Sequence, residues 1–209
     1  KANPDWLLSF LNNPGIIRPN LQVKMPSFHQ IPDEEWDAII AYFKHIDNEK
    51  ISYRSDLVVD EKSMDFKAGV KLHEFGQCNS CHFYGEEFPT GDAPTWAPNL
   101  AMTKERLNPD WVREWLYNPS DIMPGTKMPA PYLPDSELLS ADGAENDWGK
   151  ALVVLEGDTT RMLNGLRDYM WKIKGNTNID AIIKDYFDEN GYDFGGDEDE
   201  DDWGDDEDW

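Results

Sequence analysis

The amino-acid sequence predicts an all-α protein, and three observations lead to that prediction. Apolar residues recur at helical spacing in residues 33–46, where the first turn is acidic, as the helix dipole favours. Two further segments begin with Pro-Asp-Trp, at Pro4 and Pro109, and continue with short runs of helical period. No alternation of apolar and polar residues, the pattern of a half-buried strand, surrounds the two cysteines. We therefore expect helices joined by loops.

The individual helices follow from local patterns along the chain. The strongest pattern is that of residues 33–46, in which four apolar residues share one face. The remaining helices are expected at about 64–75, 111–116 and 159–173. The stretch 135–158 is rich in Gly, Asp and Ser. We expect it to be an inserted loop with at most a short helix over 148–155.

Composition limits the class of protein. The 209 residues carry 42 acidic and 19 basic side chains, a formal charge of −23 that would repel a nucleic-acid backbone. Nucleic acid is therefore excluded as the expected partner. An apolar content of 39% is sufficient for a folded core. The longest apolar runs span four or five residues. A bilayer requires roughly 20, so no membrane-spanning segment is predicted.

The two Pro-Asp-Trp segments belong to an internal repeat. Residues 4–28 align with residues 109–132, and both copies continue through Asn-Pro to Lys-Met-Pro. The first copy has no cysteine-containing segment before it, so it corresponds to half of the longer second module. The chain begins at Lys1 without an initiator Met or a leader peptide, and we expect it to be processed or incomplete upstream.

The repeat and the charge distribution suggest four regions. They are residues 1–48, the C-terminal half of a module; 49–61, a linker; 62–174, a complete module; and 175–209, an acidic C-terminal extension. Residues 188–209 hold 13 acidic side chains and no basic one, which leaves −10 on the rest of the chain. The composition alone is typical of a solvated, disordered end. The hypothesis set against it is that a basic surface of a partner protein holds this tail. Its apolar anchors would be Tyr192, Phe194, Trp203 and Trp209.

The motif that carries chemistry is Cys78-Asn79-Ser80-Cys81-His82. Two thiols separated by two residues in a tight turn are placed to add to the two vinyl groups of a haem, and His82 then falls under the iron. A redox dithiol, half of a zinc site and a chance match are the alternatives. A dithiol of the thioredoxin type needs a parallel sheet, and no β-strand alternation surrounds Cys78. Structural zinc needs a fourth ligand and usually a second pair of Cys or His residues, which the sequence lacks.

Residues 62–174 resemble class I, mitochondrial-type, cytochrome c domains. The landmarks that carry the resemblance are a first helix with Gly69, the motif at 78–82, the stretch 97–100, Arg106, the helix over 111–116, the loop 124–129 and a last helix around 162–171. The resemblance implies a cytochrome c fold around one covalently bound haem c. It also implies electron transport as the activity.

The sixth ligand to the haem iron is also implied by the resemblance. In the family, a Met in a proline-rich loop takes this position, which falls on Met128 here. Met123, Met102 and His73 are the rivals, since Met123 also precedes a proline and His73 lies near the motif. Forty-six residues separate Met128 from His82, enough for the chain to pass around a haem.

Two surrounding residues follow from the same resemblance. It implies that the carbonyl oxygen of Pro98 accepts the ring N–H of His82, a kind of bond that fixes the orientation and basicity of a ligand. It also implies that Arg106 lies near a haem propionate. A plain surface arginine is the alternative for Arg106.

In the first copy of the repeat, Met25 corresponds to Met128. Met25 would be the iron ligand of a second haem whose Cys-x-x-Cys-His lies upstream, which would make the protein a dihaem, tandem-domain cytochrome. The alternative is a degenerate domain that serves as a packing platform. A half-module has little apolar surface to bury by itself, which favours the first interpretation.

These features together predict one-electron transfer. A haem capped by His and Met has no free coordination position, and a Met ligand raises its reduction potential. We expect a subunit of a membrane-associated respiratory or other redox complex, whose other subunits are its protein redox partners. The resemblance implies haem attachment outside the cytoplasmic membrane, and therefore a location in the periplasm or on the extracytoplasmic face. Two cysteines that are both consumed by haem are compatible with an oxidising compartment. The alternative is the cytochrome subunit of a haem enzyme with a labile sixth ligand, either peroxidase-like or an oxidoreductase of nitrogen oxides or sulfur compounds. No catalytic residue is predicted.

Overall fold

The computed structural model describes residues 1–18, 25–28, 30–46 and 57–191. Within them the helices are α1 (Pro4–Asn12), α2 (Asp33–Ile46), α3 (Met64–Phe75), α4 (Thr103–Arg106), α5 (Pro109–Tyr117), α6 (Pro119–Ile122), α7 (Ser136–Ser140), α8 (Ala144–Trp148), α9 (Lys150–Val153), α10 (Thr159–Lys172) and α11 (Asp180–Asn190). Short 3₁₀ turns lie at Cys78–Ser80, Ala93–Thr95 and Leu100–Met102. These described ranges contain isolated β-bridges but no β-strand. The all-α prediction is confirmed for them.

Asparagine side chains begin the first helix of each copy of the repeat. Asn3 Oδ1 accepts the backbone N–H of Asp5 at 3.0 Å, and Asn108 Oδ1 accepts that of Asp110 at 3.1 Å. A proline follows each asparagine at the first helical position, where its missing N–H costs no hydrogen bond. The two copies therefore start α1 and α5 in the same way.

The main hydrophobic core forms where α3 crosses α10, with α5 and α9 packed beside them. Gly69 and Gly165 lie at this crossing. A Cβ atom on Gly69 would overlap the carbonyl oxygen of Gly165, so the two backbones approach with no side chain between them. At the edge of the crossing, Arg161 and Asp65 form an ion pair of 2.6 Å between the two helices. Buried side chains of this core include Leu72, Val112, Leu116, Met162 and Leu166.

Residues 135–158 contribute to the main core, which corrects the expectation of a loop with at most a short helix. The structure has three helices here, α7, α8 and α9, and it buries Leu139, Leu152 and Leu155. Each of these helices has five residues or fewer, which is too short for a helical period of apolar residues to be visible in the sequence. Helices of this length depend on tertiary packing for their stability.

A second core, rich in aromatic rings, forms around α11, a helix that the sequence did not predict. Phe187 of α11 packs with Phe83 and Trp96, which follow the cysteine motif in the chain. The extension proposed for 175–209 therefore begins with a packed helix. Residues 192–209, most of the acidic tail, lie outside the described residues.

The first copy of the repeat contributes α1 and α2. Helix α2 buries Trp36 and Ile40, whereas α1 has no buried residue. Helix α1 contacts both α2 and α4. Of the linker expected at 49–61, the structure describes only the part from residue 57. In the described part of the chain, every helix is too short or too polar to cross a membrane.

Candidate functional site

The cysteine motif lies directly after α3. Gly76 ends the helix, and Gln77 takes a left-handed conformation, with φ of 47°, that turns the chain into a 3₁₀ turn. The backbone N–H groups of Cys81 and His82 both donate to the carbonyl oxygen of Cys78, at 3.3 and 3.0 Å. Both cysteines are half-buried and carry free thiols. Burial raises the pKa of the Cys78 thiol.

The imidazole of His82 is held by the segment that contains Pro98. Its Nδ1 lies 2.7 Å from the carbonyl oxygen of Pro98. A carbonyl oxygen only accepts hydrogen bonds, so Nδ1 carries the proton and donates it. In the neutral ring, the lone pair is then on Nε2, which is left to bind a metal. Burial lowers the pKa of His82 and favours this neutral form.

The backbone fixes the two segments that meet at this hydrogen bond. Ala97 N–H donates to the carbonyl oxygen of Cys81 at 2.7 Å, and Leu100 N–H donates to that of Phe83 at 2.9 Å. Asn99 joins the segment to the loop after the motif, since its side chain accepts the N–H of Gly85 at 3.0 Å. The orientation of His82 therefore rests on a hydrogen-bonded framework on both sides of Pro98.

His73 lies on α3 beside the motif and faces two tyrosines. Its Nε2 shares a hydrogen bond with the Tyr84 hydroxyl, and its ring centroid is 4.6 Å from that of Tyr169 on α10. Only 8% of His73 is exposed, and burial lowers its pKa to about 4. The sequence offered no signal for this cluster, because the three residues lie on separate segments.

Met128 and its rival Met123 have different surroundings. The Sδ atom of Met128 accepts the indole N–H of Trp115 at 2.8 Å, and the side chain packs against the main core. Trp111 stacks on Trp115 with ring centroids 5.3 Å apart. Met123 is an exposed side chain. Trp115 was not expected to contact Met128, since the two lie in different elements of the chain.

Arg106 and Met25 are the other expected site residues, and both are more than 20 residues from the cysteine motif in sequence. Arg106 is half-buried and lies over the ring of Trp6, with 5.5 Å between Cζ and the ring centroid. Burial, and then the charge of Arg18, lower its pKa to about 10. Within the described residues, Arg106 forms no ion pair with an acidic side chain. Met25 is exposed.

The similarity to known proteins covers one segment of the chain. No protein-family model matches the chain, and no solved structure matches it. Over 104 residues the chain is 35% identical to cytochrome c oxidase subunit 2 of Bacillus subtilis (strain 168). The match covers 45% of this chain and 27% of that protein, so the chain spans about a quarter of its relative's length.

Proposed function

We propose that the chain is an electron-transfer protein in which Cys78 and Cys81 would hold one haem c through thioether bonds and His82 and Met128 would be the ligands of its iron. The observation that carries the proposal is the hydrogen bond from His82 Nδ1 to Pro98. This bond leaves the lone pair of Nε2 free to coordinate a metal, in a histidine that directly follows the second cysteine. A histidine with the opposite tautomer would present a proton to the iron instead.

The other side chains have the chemistry that a covalent haem requires. The two cysteines are free thiols, available for bonds to carbon. A thioether is a suitable ligand for haem iron, and Met128 provides one at the edge of the main core. Arg106, a half-buried cation with no acidic partner in the described residues, is suited to a propionate.

The haem would supply one-electron redox chemistry. The residues of the chain would orient its ligands and limit their exposure to water. Pro98 keeps the proton of His82 on Nδ1. The indole N–H of Trp115 donates to the Sδ atom of Met128. In the presence of haem this bond would draw electron density from the Met128 ligand and favour the ferrous state. No residue is required to transfer a proton.

The similarity to cytochrome c oxidase subunit 2 supports a redox role for the matched segment. We further propose that this chain works with other subunits of a membrane-associated respiratory complex, its protein redox partners. It would lie in the periplasm or on the extracytoplasmic face of the membrane. A second haem, with Met25 as a ligand, would require a second Cys-x-x-Cys-His motif upstream of Lys1.

A matched pair of methionine variants tests the proposed ligand set. In ferric protein produced with haem attached, Met128→Ala should abolish the weak Met-to-iron absorption band at the near-infrared edge, because the sixth ligand is lost. The reduced variant should then bind carbon monoxide. Met123→Ala should keep the band, since that side chain is exposed. Intact mass should show one haem on both variants.

Two results would contradict the proposal. Loss of the band in Met123→Ala, with retention in Met128→Ala, would reassign the ligand. A native protein whose mass corresponds to the unmodified chain would exclude covalent haem and, with it, the proposed function.

A further inference from the structure

The two copies of the repeat meet through a short segment of each, residues 1–6 and residues 106–111, which we call the edge of that copy. Residues 1–6 read Lys-Ala-Asn-Pro-Asp-Trp, and residues 106–111 read Arg-Leu-Asn-Pro-Asp-Trp. Each edge therefore has a basic residue, an apolar residue and the same four residues after them. Ala2 of the first edge forms an antiparallel bridge with Leu107 of the second. Equivalent positions of the two copies are thus paired with each other.

The backbone hydrogen bonds at this edge are reciprocal. The N–H of Asn3 donates to the carbonyl oxygen of Arg106 at 2.8 Å. The N–H of Asn108 donates to the carbonyl oxygen of Lys1, also at 2.8 Å. Exchanging each residue for its counterpart in the other copy turns the first bond into the second. Such an exchange is what a local two-fold axis produces.

The side-chain contacts are related by the same exchange of the two copies. Lys1 Nζ lies 4.9 Å from the ring centroid of Trp111, and Arg106 Cζ lies 5.5 Å from that of Trp6. Each copy therefore places its cation over the tryptophan of the other copy. A cation within about 6 Å of a ring centroid is attracted to the ring face. The two pairs are equivalent contacts of one interface.

We infer that the two copies of the repeat associate through a pseudo-two-fold interface, with its axis between Ala2 and Leu107. The partner that fits this edge of one copy is the same edge of another copy. Interfaces of this kind are self-complementary, because each patch contacts its own equivalent. The inference does not depend on the haem, so it goes beyond the proposed function.

The two-fold arrangement has an electrostatic consequence. It brings the like charges of Lys1 and Arg106 close together. The charge of Arg18 acts on both of them. Burial, followed by the charges of Arg106 and Arg18, lowers the pKa of Lys1. Each cation gains a ring face of the opposite copy, which offsets part of this repulsion. The edge is also covered within the chain, so an external partner must approach the second copy elsewhere.

Amide hydrogen exchange in the full chain, with its native cofactor content, tests the reciprocity. Trp6→Ala removes the ring under Arg106, whose carbonyl oxygen accepts the N–H of Asn3, and should speed exchange at the amide of Asn3. Trp111→Ala removes the ring under Lys1, whose carbonyl oxygen accepts the N–H of Asn108, and should speed exchange at the amide of Asn108. We expect increases of about threefold, the factor that corresponds to a cation–π contact of 0.5–1 kcal/mol. Residue-resolved NMR reports both amides.

Control variants separate this interface from general unfolding. Tyr117→Ala, at an exposed position on α5, should leave the amides of Asn3 and Asn108 unchanged. Because Trp111 also packs against the main core, Lys1→Gln and Arg106→Gln repeat the test without removing a ring. Lys1→Gln should act at Asn108 and Arg106→Gln at Asn3. A response in only one direction, or none in either, would overturn the inference.

Discussion

At His73, burial determines the protonation state of a side chain next to the cysteine motif. The ring lies between Tyr84 and Tyr169 and keeps a pKa of about 4. Burial also raises the pKa of the Tyr84 hydroxyl, so both partners of their hydrogen bond are neutral near pH 7. A neutral cluster suits the apolar face of α3, where a charged imidazole would be costly.

The depressed pKa of His73 predicts a pH dependence of stability. The unfolded chain takes up a proton at this residue below about pH 6.5, whereas the folded protein does so only near pH 4. Stability that is present above pH 6.5 is therefore lost as the pH falls towards 4. After allowance for partial screening by solvent, the loss is about 2 kcal/mol.

Urea unfolding at pH 7.5 and 4.5 measures this loss. His73→Phe keeps a ring against Tyr169 but has no proton to bind, so its free energy of unfolding should fall less between the two pH values. The carboxylates contribute equally to both proteins and cancel in the comparison. Parallel pH profiles for the variant and the wild type would contradict the assignment to His73.

At the scale of elements, the crossing of α3 and α10 organises the main core. The two helices touch through Gly69 and Gly165, with the larger side chains of the core around the contact. Arg167 on α10, itself 6% exposed, bonds to Asp168 at 2.6 Å and lies 3.9 Å from Asp110 on α5. A buried guanidinium with acidic partners ties the third helix to the crossing.

The glycine contact predicts a large effect of a single methyl group. Gly69→Ala should lower the free energy of unfolding by about 3 kcal/mol, because the new Cβ meets backbone atoms of Gly165 that cannot rotate away. Gly15→Ala is the matched control, since a Cβ there has no neighbour within 4 Å. Equal urea midpoints for the two variants would show that the helices do not cross as closely as described.

At the scale of the whole molecule, the acidic C-terminus follows directly from a packed helix. Helix α11 is held by Ile183 and Phe187 in the aromatic core, beside residues that follow the cysteine motif. Thirteen of the chain's acidic residues lie in 188–209. The start of the tail, residues 188–191, is therefore fixed to the globular part.

Removal of the tail should weaken assembly without affecting the fold. A chain that stops at Gly191 keeps α11 and should retain the urea midpoint of the full chain. We expect it to dissociate from its native complex at moderate salt, where the full chain stays bound, because the remaining charge is much smaller. Co-purification of both chains from native membranes measures this. Equal retention would exclude the tail as a docking segment.

Much of the helical structure was predictable from periodicity. Helices α2, α3 and α10 lie at the expected positions, since each has at least 12 residues and its pattern spans several turns. Helix α9 lies within the short helix expected over 148–155, whereas α7 and α8 were missed because each is shorter than two turns. Helix α11 was missed because acidic residues interrupt its apolar positions, and its stability comes from the rings on which it packs.

Of the candidate site, only the cysteine motif was predictable from local spacing. Local spacing defines Cys78, Cys81 and His82, because they are neighbours in the chain. The resemblance implied the contact of His82 with Pro98, and the structure places the two atoms at hydrogen-bonding distance. The different surroundings of Met128 and Met123 could not be predicted, since both precede a proline and only packing distinguishes them.

By itself the sequence determined the helical class, the Cys-x-x-Cys-His motif, the repeat and the acidity of the tail, because each depends on residues that are close together in the chain. Only the tertiary structure decided which methionine Trp115 contacts, where α11 packs and how the two copies of the repeat meet. These features depend on contacts between residues far apart in sequence. The physical reason is that packing and burial select such contacts from many that local pattern allows.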